Sequence, residues 1–390
     1  MKIAFVIQRY GQEVNGGAEL LCRGVAEHLV DELEIEILTT CAKDYITWKN
    51  EYPPGDTVIN EVKIKRFPVE KKRNIKKFNR FSNKIFAKNN ISEKDEVKWL
   101  YMQGPVCPKL LDFIQANKND YDYFIFFTYL YYTTAMGLPL VAEKSLFVPT
   151  AHDELPLQLG IYKNMFRTTQ AMIYSTKEEM DLVNQHFNNS SLESEIIGIG
   201  VDKPKYSVEA KEFSNKYSIS NFILFAGRIE EGKGLSELFE FFIKYLESSQ
   251  NKDLYLVLIG KRHMTIPDHP NILYLGFVTE QDKYNAIAAA KVTVVPSPLE
   301  SLSIISLEAW LLSKPILVNG RSPVLKGNCQ RSNGGLYYDN FADFKEKLNL
   351  LLNSKDVREK MGLRGQKYVE DNFSWPVVKR KYLSLLQRLG

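Results

Sequence analysis

The stretch Val294–Val318, VVPSPLESLSIISLEAWLLSKPILV, constrains this chain more than any other. An apolar run ends at Pro296-Ser297-Pro298. Glutamates follow at Glu300 and Glu308, and Pro315 breaks the pattern before a second apolar run, Ile316–Val318. Strand, loop, helix and strand in that order make one parallel βαβ step. Ser301 or Ser303 suits the helix N-cap. Glu300 then falls in a loop at the carboxyl end of a strand, where open α/β sheets bind ligands. Glu308 falls about two turns into the helix. The leading amides of such a helix favour an anion. Two carboxylates that accept from sugar hydroxyls, beside a helix N-terminus suited to a phosphate, are what a nucleotide-sugar needs.

With 390 residues, the chain is long enough for two or three domains, or two larger ones. A formal charge of +4 is too small to argue for nucleic acid. Cys22, Cys41, Cys107 and Cys329 are far apart, without metal-ligand spacing and without the look of a disulfide framework. They point to a reduced, cytoplasmic chain. Met1–Ile7 lacks an h-region and a cleavage site and reads as a first strand rather than a signal peptide. No segment reaches the roughly 18–20 apolar residues of a membrane span.

Lys2–Gln8 reads as a strand, followed by a Gly-containing loop, a helix from Ala18 to Leu29 and a strand near Glu34–Thr39. Strand-like runs recur at Tyr123–Phe127, Ser145–Val148 and Ala171–Tyr174. A second βαβ series runs through Phe222–Phe225, Leu254–Ile259, Ile272–Leu275, Val292–Val295 and Ile316–Val318. Buried parallel runs of this kind predict α/β layering. Ile196–Asn221, rich in Gly, Pro and Lys, reads as a linker, with the boundary near residues 201–220. The predicted division is residues 1–200, residues 201–372, and a terminal amphipathic helix over about 373–390 that crosses back to the first domain.

The second half opens with FILFAGRIEEGKGL, which sets Arg228 and Lys233 between a strand and a helix. Gly227, Gly232 and Lys233 match Walker A spacing. However, Gly234 stands where that loop needs Ser or Thr, and Glu230 and Glu231 bring negative charge into the cradle. The stronger reading is a basic pair that reaches a diphosphate, Arg as a fork and Lys as a point charge. The plain alternative is a solvated turn.

AGRIEEGKG, the spaced Glu300 and Glu308, and the early Asn15-Gly16-Gly17-Ala18-Glu19 together resemble the retaining GT-B glycosyltransferase family 4, glycosyl transferases group 1. The resemblance covers most of the chain and is strongest over Phe222–Gly335. It implies two doubly wound Rossmann-like α/β domains facing across a cleft, with a UDP- or GDP-linked sugar donor on the second and a glycan or lipid-linked acceptor on the first. Domain closure would bring the two together. By the same resemblance, Arg228 and Lys233 bind the donor diphosphate, Glu300 the sugar hydroxyls and Glu308 the ribose. Gly16 and Gly17 let the ligand approach the backbone. His152, after the strand Ser145–Val148, touches the transferred sugar, with Asp153 or Glu154 to fix its tautomer. Lys261, Phe277 and Val278 line the nucleotide site, with core packing and surface solvation as the plain alternatives. Where the family carries glycines after the first glutamate, this chain has Ser301-Leu302-Ser303. The catalytic set is therefore His152, Glu300, Arg228 and Lys233, with no metal and no cofactor.

Asp120-Tyr121-Asp122 resembles the metal-binding D-x-D of another glycosyltransferase fold, but a turn leading into a strand explains it as well. Lys63–Lys98 is rich in Lys and Arg, with Ile75, Phe78, Ser82 and Ile85 at helical spacing and Phe81 and Phe86 beside them. That pattern fits a peripheral membrane-surface element or a site for an anionic acceptor. It fits equally a helix whose stripe packs on the first domain. Nucleic acid suits it less, because no binding motif accompanies the charge. The expected role is surface polysaccharide or glycolipid assembly. A nucleotide-sugar 2-epimerase and a catalytically silent nucleotide-sugar-binding partner are the other classes.

Overall fold

Apolar runs of four or five residues become parallel strands buried on both faces, as in Tyr123–Phe127 and Val292–Val295. The computed structural model describes residues 1–14 and 16–390. The chain divides into two units: residues 1–199 with 379–390, and residues 200–378.

In the first unit, β1 (Lys2–Val6), β2 (Glu34–Thr40), β3 (Gly55–Ile59), β4 (Val62–Phe67), β5 (Tyr123–Phe127), β6 (Ser145–Val148), β7 (Ala171–Tyr174) and β8 (Glu193–Ile196) form one sheet in the order β3-β4-β2-β1-β5-β6-β7-β8. All pairings are parallel except β3 with β4. That hairpin turns on Asn60 and Glu61, both at positive φ, a turn whose twist suits antiparallel strands. Helices α1 (Gly17–Leu29), α2 (Ile75–Phe86), α3 (Glu93–Gln103), α4 (Pro108–Asn117), α5 (Tyr132–Gly137), α6 (Met165–Thr168) and α7 (Lys177–Phe187) complete the unit.

The second unit contains α8 (Ala210–Tyr217), β9 (Phe222–Ala226), α9 (Leu235–Ser248), β10 (Tyr255–Ile259), β11 (Ile272–Gly276), α10 (Glu280–Ala289), β12 (Val292–Val295), α11 (Ile304–Leu311), β13 (Ile316–Asn319), α12 (Pro323–Ser332), β14 (Gly335–Tyr338), α13 (Phe341–Asn353) and α14 (Lys355–Phe373). Its sheet is parallel throughout, in the order β11-β10-β9-β12-β13-β14. Gly365 of α14 lies on Trp310 of α11, where a Cβ would meet the indole at 2.2 Å. Trp310 Nε1 donates to the Gly334 carbonyl at 2.8 Å. These contacts fix α11 from behind. A final helix, α15 (Trp375–Leu389), opens in the second unit, and its residues from Lys379 onward belong to the first.

One expectation needs correcting. Ile196–Asn221 is not a plain linker: it ends β8 and carries α8, which is pinned to α10 by Asn285. That side chain accepts from the Glu209 amide at 2.8 Å and donates to Glu212 at 3.1 Å. The basic segment begins as strand β4, and its helix opens at Ile75, where the helical spacing begins.

In α2 the apolar stripe is spent on packing. Phe78 and Ile85 are buried in the first unit's core, with Ile75, Phe81 and Phe86 packed against it. Trp99 lies 5.5 Å from Phe78 and donates its Nε1 hydrogen to Ser82 at 2.9 Å. Lys76, Lys77, Arg80 and Lys84 stay exposed. Ile85→Ala is expected to destabilise the protein by about 2–4 kcal/mol, and Lys84→Ala by less than about 0.5 kcal/mol. Urea unfolding of the two variants checks this, and equal effects would place the stripe outside the core.

Candidate active site

In the second sheet, β9 and β12 are neighbours although their connections run to opposite sides, β9 toward β10 and β12 toward β13. The loops that follow them therefore diverge, which is the topological switch point of an open α/β sheet. The first loop carries Arg228 and Lys233, the second Glu300.

Glycines bring these loops together. Gly260, at φ 135°, has the Gly227 carbonyl where a Cβ would stand, at 1.9 Å. Gly234, at φ 73°, sits against the Pro296 carbonyl, 2.2 Å from where its Cβ would be. Neither position admits a side chain. The same Pro296 carbonyl accepts from buried Asn319, which also donates to Glu237 at 3.1 Å. Within this frame Lys233 Nζ meets Glu300 Oε1 at 2.7 Å, both side chains partly shielded from solvent. Arg228 is more exposed and pairs with Glu230 at 3.1 Å. The loop makes a single 3₁₀ turn over Glu231–Lys233.

Ser303 precedes α11 in a left-handed conformation, φ 75°, and its hydroxyl lies 2.9 Å from that of Ser306. No side chain caps the helix. Because α11 begins only at Ile304, Glu308 lies one turn in rather than two. Its Oε1 accepts from Lys283 Nζ at 2.6 Å, with the Tyr284 hydroxyl at 3.5 Å. Tyr206 packs edge-on against Tyr284, and its own hydroxyl is buried without a hydrogen-bond partner.

Lys283 and Tyr206 were not legible in the sequence. A lysine in the polar first turns of a helix reads as a solvated charge, and Tyr206 lies in the stretch taken as linker. Ser301 is half-buried, and Leu302 is buried with its carbonyl accepting from Asn328 at 3.5 Å. Lys261 is exposed, and its carbonyl accepts from the Ile229 amide at 2.9 Å. Phe277 is 77% exposed beside half-buried Val278.

In the first unit, Gly16 is the N-cap of α1, whose helix opens at Gly17. A Cβ on Gly16 would strike Glu19 Oε2 at 2.0 Å, whereas Gly17 has open space around it. Beneath this loop Arg9 and Glu19 form a buried ion pair at 2.5 Å, and Gln8 donates to the same carboxylate at 2.9 Å. Asn15 of the same motif lies outside the described residues.

His152 follows β6, its Nε2 3.6 Å from Glu154 Oε1. Tyr129 donates to that oxygen at 2.7 Å. Glu154 is thus the carboxylate that faces the imidazole, while Asp153 is exposed. His152 Nδ1 is buried without a hydrogen-bond partner. Behind it lies Glu179 of α7, a buried carboxylate that nothing in the sequence sets apart from its acidic neighbours. It accepts from the Ala151 and Ser175 amides, each at 2.6 Å.

Asp122 accepts from the Lys2 amide at 2.7 Å, at the amino end of β5 and away from the ligand edge. Among the described residues no group of three or more His, Cys, Asp or Glu could hold a metal ion. No helix among them is long and apolar enough to cross a membrane. The four cysteines are buried and free.

Residues 208–368 match the family described as glycosyl transferases group 1. The chain is 22% identical to an uncharacterised glycosyltransferase of Methanocaldococcus jannaschii, over 99% of this chain and 97% of that one. It is 24% identical to the capsular polysaccharide biosynthesis glycosyltransferase CapM of Staphylococcus aureus, over 48% of this chain, and spans about half (53%) of CapM. Among solved structures, sucrose-phosphate synthase from Thermosynechococcus elongatus superposes with a TM-score of 0.72 at 14% identity, covering 100% of this chain and 98% of that one. Anabaena HepE, solved with UDP and glucose, superposes with a TM-score of 0.71 at 14% identity, covering 100% of both chains. The fold is GT-B, built from two Rossmann-like units.

Burial raises the Glu179 carboxyl from its ordinary 4.5 to about 7, its amide hydrogen bonds only partly opposing the rise. The folded state thus holds this proton more tightly than the unfolded chain. The associated stability is complete below pH 4.5 and is lost as pH rises through about 7. Relative to Glu179→Gln, the wild type is expected to lose about 2–3 kcal/mol between about pH 5 and pH 8. Urea unfolding at both pH values measures the difference, and a constant gap would mean that Glu179 does not titrate there.

Proposed function

We propose that this chain, which matches the glycosyl transferases group 1 over residues 208–368 and resembles glycosyltransferases along its length, moves a sugar, with retention, from a nucleotide-diphosphate donor to a glycan or glycolipid acceptor. The observation that carries this is the meeting of Lys233 and Glu300 at 2.7 Å, at the switch point of the second sheet and beside the head of α11. In this reading the pair is a ligand-free placeholder. When donor binds, the ammonium turns to the diphosphate and the carboxylate to the sugar hydroxyls.

Arg228 joins Lys233 on the diphosphate, and Glu308, held by Lys283, accepts from the ribose. Ser301, Leu302, Ser303 and the α11 amides frame the phosphates, with Lys261, Phe277 and Val278 toward the nucleoside. Gly16 and Gly17 give the donor close access to main chain, and His152 contacts the transferred sugar. HepE, solved with UDP-glucose, supports UDP as the carrier.

The bond from the sugar's anomeric carbon to the diphosphate oxygen breaks, and its electron pair leaves with the nucleoside diphosphate. The acceptor hydroxyl oxygen bonds to that carbon on the same face, and its proton passes to the departing phosphate. The protein's contribution is to position the reactants and to meet the charge of the leaving group with Arg228 and Lys233. No resident metal or cofactor is assigned a part.

The first unit takes the acceptor. Its exposed Lys71, Lys72, Lys76, Lys77, Arg80 and Lys84 suit a peripheral position on an anionic, cytoplasmic membrane face. Surface polysaccharide assembly, the role named for CapM, fits such a setting.

Glu300→Gln and Lys233→Ala are each expected to lower transfer about 100-fold or more while leaving the melting temperature within a few degrees. Product formation from UDP- and GDP-sugars, with and without a chelator, is the assay. Near-normal transfer in a variant removes that residue's role, and loss of transfer with chelator overturns the metal-free scheme. Sedimentation with anionic but not zwitterionic vesicles, weakened by salt over about a Debye length, is expected for the basic face. Equal sedimentation with both kinds would refute charge-driven binding.

A further inference from the structure

Glu179 has no part in the scheme above, yet it is the most deeply buried carboxylate beside a proposed site residue, at 1% exposure. Its two oxygens serve two different loops. Oε1 accepts from Ala151, in the loop after β6, and Oε2 from Ser175, in the loop after β7, both at 2.6 Å. The carboxylate is carried on α7, where Thr176 caps the helix by accepting from the Glu179 amide at 3.2 Å. A rigid helix thus grips the main chain one residue before His152.

The gripped segment is strained. Thr150 adopts φ 48°, a left-handed conformation that a β-branched residue rarely takes. Such a conformation persists only where its surroundings over-determine it, and the next amide is the one that Glu179 holds. An acceptor at both oxygens is needed for this double grip, so the grip is complete only when the carboxyl is ionised, above about pH 7. Glutamine offers one oxygen and turns an NH2 toward the other amide.

We propose that Glu179 is a positioning residue for His152: its carboxylate fixes the strained Thr150–Ala151 turn and so sets where the imidazole stands. The proposal rests on the reading that His152 contacts the transferred sugar.

The test is a double-mutant cycle on the full chain at about pH 8, where Glu179 is ionised, with Glu179→Gln, His152→Ala and the combined variant, reading kcat and donor KM separately. Glu179→Gln is expected to lower kcat about 10-fold, with donor KM changed less than about 2-fold, because positioning losses fall on the reacting geometry. In the His152→Ala background the same change is expected to have no further effect on kcat, since residues acting as a unit are not additive. Full kcat in Glu179→Gln, or equal losses in both backgrounds, overturns the proposal while leaving His152 its role. An unchanged kcat in His152→Ala overturns the His152 assignment and this proposal with it. If Glu179→Gln fails to fold, Glu179→Asp, one methylene short of reaching both amides, takes its place in the cycle.

Discussion

The pairing of β9 with β12 is what the second unit's ligand edge depends on. Crossovers carry the chain away from that pair in both directions, so two loops end beside each other. One brings cations and the other carboxylate. Gly234 against the Pro296 carbonyl sets their separation, and Asn319, from the next strand, holds that carbonyl in place. The α11 helix then starts where the second loop stops, braced from behind by Trp310 and the α14 glycines.

The ion pairs of the two units, each taken by itself, form a graded series. Arg9 and Glu19 are buried, with every polar atom of the guanidinium engaged by Glu19 or the Lys43 carbonyl, and they serve as structure beneath the Gly16 loop. Lys283–Glu308 and Lys233–Glu300 are only partly shielded. An ion pair that still touches water contributes little to stability, so exchanging its partner for a ligand group costs little. Shielding by degrees separates the ions that hold the fold from those free to be re-engaged.

Strands such as Tyr123–Phe127 and Ala171–Tyr174 were legible in the sequence because a strand covered on both faces is one unbroken apolar run. The β3–β4 hairpin was not. VKIKRF interleaves lysines and arginine with apolar residues, unlike those unbroken runs, and Asn60-Glu61 lacks the glycine that usually announces such a turn. Helix α8 was hidden by the Gly, Pro and Lys around it. At the site, the spacing of Arg228, Lys233, Glu300 and Glu308 singled them out, but spacing carries no pairing. That Lys233 faces Glu300 follows from strand order, and that Lys283 faces Glu308 follows from the packing of α10. The one-turn error at Glu308 arises because Ser303 is left-handed and delays the helix. Glu179 gives no signal in sequence, since only burial sets it apart from its acidic neighbours.

The first unit is written in two separate stretches of chain. Its last turns, from Lys379 onward, come after the whole of the second unit. There Lys379 pairs with Glu32 at 2.6 Å, Lys381 donates to the Ile196 carbonyl at 3.0 Å, and Tyr382, Leu385 and Leu386 are buried. During synthesis the eight strands of that unit therefore emerge from the ribosome well before the strip that covers part of their helical layer. The unit translated first is completed last, and a fragment cut near residue 200 would be missing part of its own interior.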